Sequence, residues 1–144
     1  ANMELDIPNT TNTKFRIASI SKQFTSLLVL KQVELGIIKL NDPVSKYIPE
    51  YPKDKGDSIT IYDLLVQTSG IPSYNGIQDF FLKYGRKSWE PENYIKLFWD
   101  LELLHSPGSK HKYASFNHYL AGVILEKATG KSYEELFQIY ITEP

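Results

Sequence analysis

The sequence predicts a mainly α-helical chain, on three observations. Apolar residues recur at intervals of three and four in two long stretches, one opening at Ser19 and one at Ser115. Thr60 with Asp63, and Ser132 with Glu135, place a polar cap three residues before an acid, and glycine or proline follows the helical stretches. The two-residue alternation of a half-buried strand is scarcely represented.

Residues 1–18 carry Pro8 and several Asn and Thr, and read as an extended or irregular lead-in. Over 19–36, Ile20, Phe24, Leu27, Leu28 and Lys31 follow a helical period, and Gly36 stands where the helix stops. Leu27-Leu28-Val29-Leu30 is apolar nearly all round, which predicts a central, buried helix. Residues 37–144 read as a helical region. Asn41-Asp42-Pro43 opens a short turn or helix through Lys46, ended by Pro49 and Pro52, and Lys53 to Ser58 is a polar loop. Thr60 caps a helix through Leu64-Leu65-Val66 that Gly70 and Pro72 close. A short helix is expected from Gln78 to Tyr84, ended by Gly85, and another from Pro91 to about Leu101. Ser106-Pro107-Gly108-Ser109 is a turn. Ser115 to Ala128 forms the next helix, stopped at Gly130, and Ser132 caps the last, Tyr133 to about Ile141.

Composition narrows the function. At 144 residues the chain is the size of one domain, and 42% hydrophobic with 23% charged residues is ordinary for a soluble globular protein. A net charge of -1 without a basic cluster gives no reason to expect nucleic acid or an anionic membrane as partner. The absence of Cys excludes disulfides, thiolate metal sites and a cysteine nucleophile. His105, His111 and His118 are spaced by six and seven residues, not the four that place two ligands on one helix face, so no metal is expected. No cofactor motif stands out: Gly130-Lys131-Ser132 mimics the end of a phosphate loop, but Leu125 occupies the place of its earlier glycine. The apolar run Leu27 to Leu30 is far too short to span a bilayer, and Ala1-Asn2-Met3-Glu4 does not read as a secretory leader. Asn9-Thr10-Thr11 fits a glycosylation sequon and is read as chance.

One short motif carries chemistry. Ser19-Ile20-Ser21-Lys22 opens the first long helix, so Ser19 and Lys22 fall on one face a turn apart. A serine hydroxyl needs an adjacent base or cation to become a nucleophile, and the helix N-terminus adds positive potential at its oxygen. The motif alone reads rather as a helix cap beside a solvated lysine. A second match, Ser109 to Lys112, lies in the Pro-Gly turn, where nothing regular holds its ends together.

The flanks decide between these readings. "TKFRIASISKQFTSLLVLKQVELGIIKLNDPVSKYIPEYP" resembles the nucleophile segment of the serine beta-lactamase and penicillin-binding-protein superfamily, in its class C-like branch of DD-peptidases and esterases. The similarity continues through "ITIYDLLVQTSGIPSY", where Gln67-Thr68-Ser69-Gly70 stands for the family's His-Thr-Ser-Gly, and through "PGSKHKYASFNHYLAGVILEKATGKSYEELFQIYITEP". The resemblance implies that Ser19 is acylated, that Lys22 is its partner and that Tyr113 relays protons. Tyr113-Ala114-Ser115 aligns with the family's Tyr-x-Asn, so Ser115 is expected to help position substrate. It has one donor where the family Asn has an amide, which puts substrate preference in question and makes beta-lactam hydrolysis less expected than peptidase or esterase activity. Asn117 reads as a helix residue only.

The third family motif, Lys-Thr-Gly on a strand, has no counterpart: Lys127-Ala128-Thr129-Gly130 resembles it in letters but ends a helix. The resemblance therefore implies one fragment, residues 1–144, holding the nucleophile helix and the helical region of an α/β fold, with most of the antiparallel sheet missing. Ala1-Asn2 reads as the end of an early strand, so both chain ends look cut. The backbone N–H of Ser19 would supply one oxyanion donor and the missing strand the other, so the fragment is expected to be weak or inactive. The implied function is a bacterial serine hydrolase with an extracytoplasmic setting, acting on a small-molecule or peptide substrate: a beta-lactam, a D-amino-acid peptide or an ester. Self-association through the surface left by the missing strands is a further expectation. The alternatives are a non-catalytic penicillin-binding or sensor module and a helical interaction domain with no site.

Overall fold

A computed structural model describes residues 2–74, 77–85 and 87–143. It contains seven α-helices among the described residues: α1 Ser21–Glu34, α2 Lys53–Gly56, α3 Ile61–Leu65, α4 Phe80–Lys83, α5 Pro91–Ile95, α6 Ser115–Thr129 and α7 Tyr133–Phe137. A 3-10 turn, Ala18–Ile20, leads into α1, another spans Val44–Lys46, and a π-type turn, Gln138–Thr142, follows α7. Pairing of β type among the described residues is limited to two isolated antiparallel bridges, Asn2 with Ile7 and Pro43 with Thr60. The fold is the helical portion expected from the sequence. Ala1 of the expected early strand lies outside the described residues, as do Asn75, Gly76, Arg86 and Pro144.

The helix α6 forms the centre. Phe116, Leu120, Ala121, Val123, Ile124 and Leu125 are all buried, and α1, α3 and α5 pack against them. Burying a large apolar side chain is worth roughly 1.5–3 kcal/mol, so this helix supplies much of the core. Phe116 stacks on Phe98 with ring centroids 4.1 Å apart and planes 14° apart, inside an aromatic cluster with Phe80 and Tyr94. Both predicted capping boxes form. Thr60 Oγ1 accepts from Asp63 N while the Asp63 carboxylate accepts from Thr60 N, and Ser132 and Glu135 repeat the arrangement.

Four local expectations are corrected. The helix predicted from Ser19 begins as a 3-10 turn, and α proper starts at Ser21. That helix is not buried all round: Thr25, Leu28, Val29 and Gln32 are buried, whereas Leu27 is 52% and Leu30 47% exposed, because packing covers one face only. Lys53 to Ser58 is not wholly a loop. It holds α2, in which Lys55 buries its stem and donates from Nζ to the Trp99 carbonyl at 3.1 Å. The helix from Pro91 stops at Ile95, followed by turns. No helix among the described residues is long and apolar enough to cross a membrane.

The loop after α3 is pinned to the segment before α6 by three backbone bonds: Leu104 N to Gly70 O at 2.8 Å, Gly108 N to Thr68 O at 2.9 Å and Lys112 N to Gln67 O at 2.8 Å. Gly70 makes this approach feasible. Its φ is +80°, and a Cβ there would sit 2.3 Å from the His105 carbonyl oxygen.

Candidate active site

Ser19 and Lys22 meet because one helical turn separates them, and the Lys22 ammonium donates to Ser19 Oγ at 3.1 Å. Tyr113 arrives from the far side of the fold, with its hydroxyl 2.8 Å from the same Oγ. A serine oxygen that accepts from Lys22 still has its own proton and a second lone pair, so it can donate to Tyr113 or accept from it. Lys22 Nζ also lies 5.2 Å from the centroid of the Tyr113 ring. The three side chains named from the sequence are therefore joined through one oxygen.

Lys22 acts on the phenol, chiefly through hydrogen bonding and least through its charge. Tyr113 has its pKa lowered from 10.0 to about 8, chiefly by the Lys22 ammonium beside it, then by the hydrogen bond with Ser19 and more weakly by the Ser115 hydroxyl. Tyr113 is 47% exposed, so solvent screens part of this effect. Ser115 stands at the first position of α6, next to the phenol, so all four predicted site residues are gathered in one place. A cleft of about 400 Å³ opens beside them between α1 and α6, lined by Lys22, Thr25, Ser115, His118, Glu126 and Tyr133 among others.

Backbone geometry presents the serine. Ala18, immediately before it, has φ +45°, a left-handed conformation that costs an L-residue roughly 1–2 kcal/mol. Beyond it the chain turns into Ala18–Ile20, and Ser21 Oγ donates back to the Ala18 carbonyl at 2.8 Å. Ser19 does not act as a side-chain cap for either helical segment.

Behind the site runs a buried polar chain that sequence reasoning missed. Gln67 Oε1 accepts from Ala114 N at 2.8 Å and from Asn117 Nδ2 at 2.7 Å. Asn117 Oδ1 accepts from Ser69 Oγ at 2.6 Å. Gln67 Nε2 lies 3.0 Å from His118 Nδ1, and His118 Nε2 lies 3.0 Å from Ser26 Oγ on α1. With Oε1 taken by two N–H donors, Gln67 donates to Nδ1, which assigns the His118 proton to Nε2. Burial, followed by the charge of Lys22, lowers the His118 pKa below 6.5 and keeps the ring neutral. The available signal was the Gln67 departure from His-Thr-Ser-Gly. Nothing in the helical pattern of α6 distinguished Asn117 or His118.

The remaining candidates go elsewhere. Ser109 donates to the Ser106 carbonyl within its own turn, and His105 Nδ1 lies against the same carbonyl. No group of His, Asp and Glu among the described residues is arranged to hold a metal ion. Gly130, with φ +69°, ends α6 as a left-handed cap, not as part of a strand motif.

A serine bridged to a lysine one turn away and to a distant tyrosine, on a helical scaffold, defines the class: proteins of the serine beta-lactamase and penicillin-binding-protein superfamily. The chain belongs to the Beta-lactamase family, whose match runs over residues 1–144. Protein flp of Staphylococcus aureus (strain MW2) is 37% identical over 134 residues, covering 91% of this chain and 26% of the relative. Teichoic acid D-alanine hydrolase of S. aureus (strain MRSA252) is 32% identical over 147 residues, covering 98% of this chain and 33% of the relative. Among solved structures, a D-stereospecific amidohydrolase from Streptomyces sp. superposes with a TM-score of 0.81 at 33% identity, over 90% of this chain and 42% of that one. The octameric penicillin-binding protein homologue from Pyrococcus abyssi gives 0.78 at 35% identity, over 99% and 33%. The chain thus spans roughly a quarter to two fifths of the length of these relatives.

Proposed function

We propose that this protein is the nucleophile-bearing part of a serine hydrolase that forms an acyl-enzyme on a peptide, ester or beta-lactam carbonyl. The carrying observation is Ser19 Oγ held between Lys22 Nζ at 3.1 Å and Tyr113 Oη at 2.8 Å. In this reading Tyr113, as the phenolate, takes the Ser19 proton while Oγ attacks the carbonyl carbon. Lys22 stabilises the phenolate and the developing charge. When the tetrahedral intermediate collapses, the bond to the leaving amine or alkoxide breaks, and Tyr113 returns the proton to that group. Water then attacks the ester on Ser19 by the same proton path in reverse.

The Ser19 N–H donates to no backbone carbonyl among the described residues, which suits it as one oxyanion donor. Ser115 contributes a hydroxyl to substrate positioning, and the neighbouring cleft receives a substituent. Relatives named as a D-stereospecific amidohydrolase, a D-amino acid amidase and a teichoic acid D-alanine hydrolase favour a substrate carrying a D-amino acid as amide or ester. Since the chain spans only part of these relatives, the activity belongs to the longer protein of which residues 1–144 are read as one fragment, and an extracytoplasmic setting is part of the same proposal.

A second reading, a penicillin-binding sensor module that is acylated but does not turn over, is favoured by Ser115 in place of the family Asn. Labelling of the full-length protein with a fluorophosphonate and with a fluorescent penicillin tests both. The hydrolase labels at Ser19 and releases the penicilloyl group, the sensor labels and retains it, and failure to label with either reagent overturns both readings.

A further inference from the structure

Gln67 is gripped by the chain on both sides of Tyr113. Its carbonyl accepts from Lys112 N at 2.8 Å and its side-chain Oε1 accepts from Ala114 N at 2.8 Å. One residue therefore holds the amides flanking the tyrosine. It does so from φ +64°, in the left-handed region that non-glycine residues seldom occupy. Strain of this kind persists where the surroundings over-determine the conformation, and it tends to accumulate at functional sites. Gln67 is buried, and its amide nitrogen continues through His118 to Ser26, one turn beyond Lys22 on α1. The same side chain is thus bonded toward Tyr113 in one direction and toward the serine-bearing helix in the other.

We propose that Gln67 is the positioning residue of the site: it fixes the Tyr113 segment and the register of α1 together, and so sets the distance between Ser19 and Tyr113. Tyr113 itself is 47% exposed and meets Ser19 and Lys22 through its hydroxyl and ring face, so its place against Ser19 depends on its backbone. The charged group facing the phenol is Lys22, on α1, and His118, on α6, faces Lys22 as a neutral ring. Losing the Gln67 anchor lets the phenol drift from Lys22, which raises its pKa and lengthens the path for the serine proton. The kinetic part of this proposal rests on the hydrolase reading above. The anchoring part does not.

The test uses two variants. Gln67→Gly removes the side chain without strain at positive φ, and Gln67→Asn also tolerates that backbone but is one methylene too short to span both anchors. Tyr113 is titrated by ultraviolet difference absorbance against Tyr113→Phe, and Ser19 labelling by a fluorophosphonate is followed across pH, with thermal melting to confirm folding. The expected result is a Tyr113 pKa moved from about 8 back toward 10.0. With it, labelling slows by about tenfold or more, and its rise with pH shifts upward by the same amount. A folded variant with an unmoved Tyr113 titration and labelling within about twofold of the parent overturns the proposal. If the unsubstituted full-length protein does not label at all, the hydrolase reading fails, and the Tyr113 titration alone decides the role of Gln67.

Discussion

Ser19 Oγ and Tyr113 Oη lie 2.8 Å apart although 94 residues separate them in the chain. That bond closes the site. Tyr113→Phe leaves the packing of the ring intact and removes only the proton acceptor. It is expected to slow fluorophosphonate labelling of Ser19 by about 10²–10⁴-fold, the usual contribution of a positioned general base. Ser19→Ala abolishes labelling, and mass spectrometry of the labelled peptide checks both.

The same bond predicts a pH dependence. In the proposed mechanism Tyr113 would act as base only when ionised, and Lys22 brings its pKa down to about 8. The labelling rate is expected to climb with pH through that value and to level off above it. Tyr113→Phe removes the step. A flat profile in the parent over about pH 6 to about pH 9 would show that the phenol carries no proton in the reaction.

His118 ties stability to pH. Burial holds its folded pKa below 6.5, whereas the unfolded chain takes up a proton near the ordinary value. As pH falls through about 6.5, the unfolded state binds the extra proton first, so native stability declines and goes on declining until the folded ring also protonates. Melting temperatures measured from about pH 7.5 down to about pH 5 are expected to fall, and His118→Gln to flatten part of that slope.

Gly70→Ala tests the docking of the loop that carries Gln67. The new Cβ would meet the His105 carbonyl oxygen at 2.3 Å, on a backbone at φ +80° that alanine adopts only under strain. A loss of about 2–4 kcal/mol in urea unfolding is expected from strain and overpacking combined. The bond from Leu104 N to Gly70 O should open first, which hydrogen exchange at Leu104 would read.

The aromatic core gives a test of stability rather than of chemistry. Phe116 is buried, stacks on Phe98 and sits at the start of α6, three residues from Tyr113. Phe116→Ala is expected to cost about 3–5 kcal/mol, a large share of the stability of a domain this size. Phe116→Leu should cost less, and equilibrium denaturation compares the two.

Much of this protein was decided by local sequence. Helix positions followed from the period of apolar residues around Leu28 and Leu120, and helix ends from Thr60 with Asp63, Ser132 with Glu135, and Gly130, because capping depends only on near neighbours. The Ser19–Lys22 contact was legible for the same reason: a helix turn fixes it. Tyr113 and Ser115 were found through family resemblance, since no local rule joins residues 94 apart. Tertiary structure alone decided the rest. It left Leu27 and Leu30 exposed on a helix that reads as apolar all round, because burial depends on which elements pack and not on composition. It gave Gln67 its left-handed turn and joined it to Ala114, Asn117 and His118, a network whose members look unremarkable in sequence. Buried polar atoms must find partners wherever the fold brings them, and those partners lie about fifty residues away in the chain.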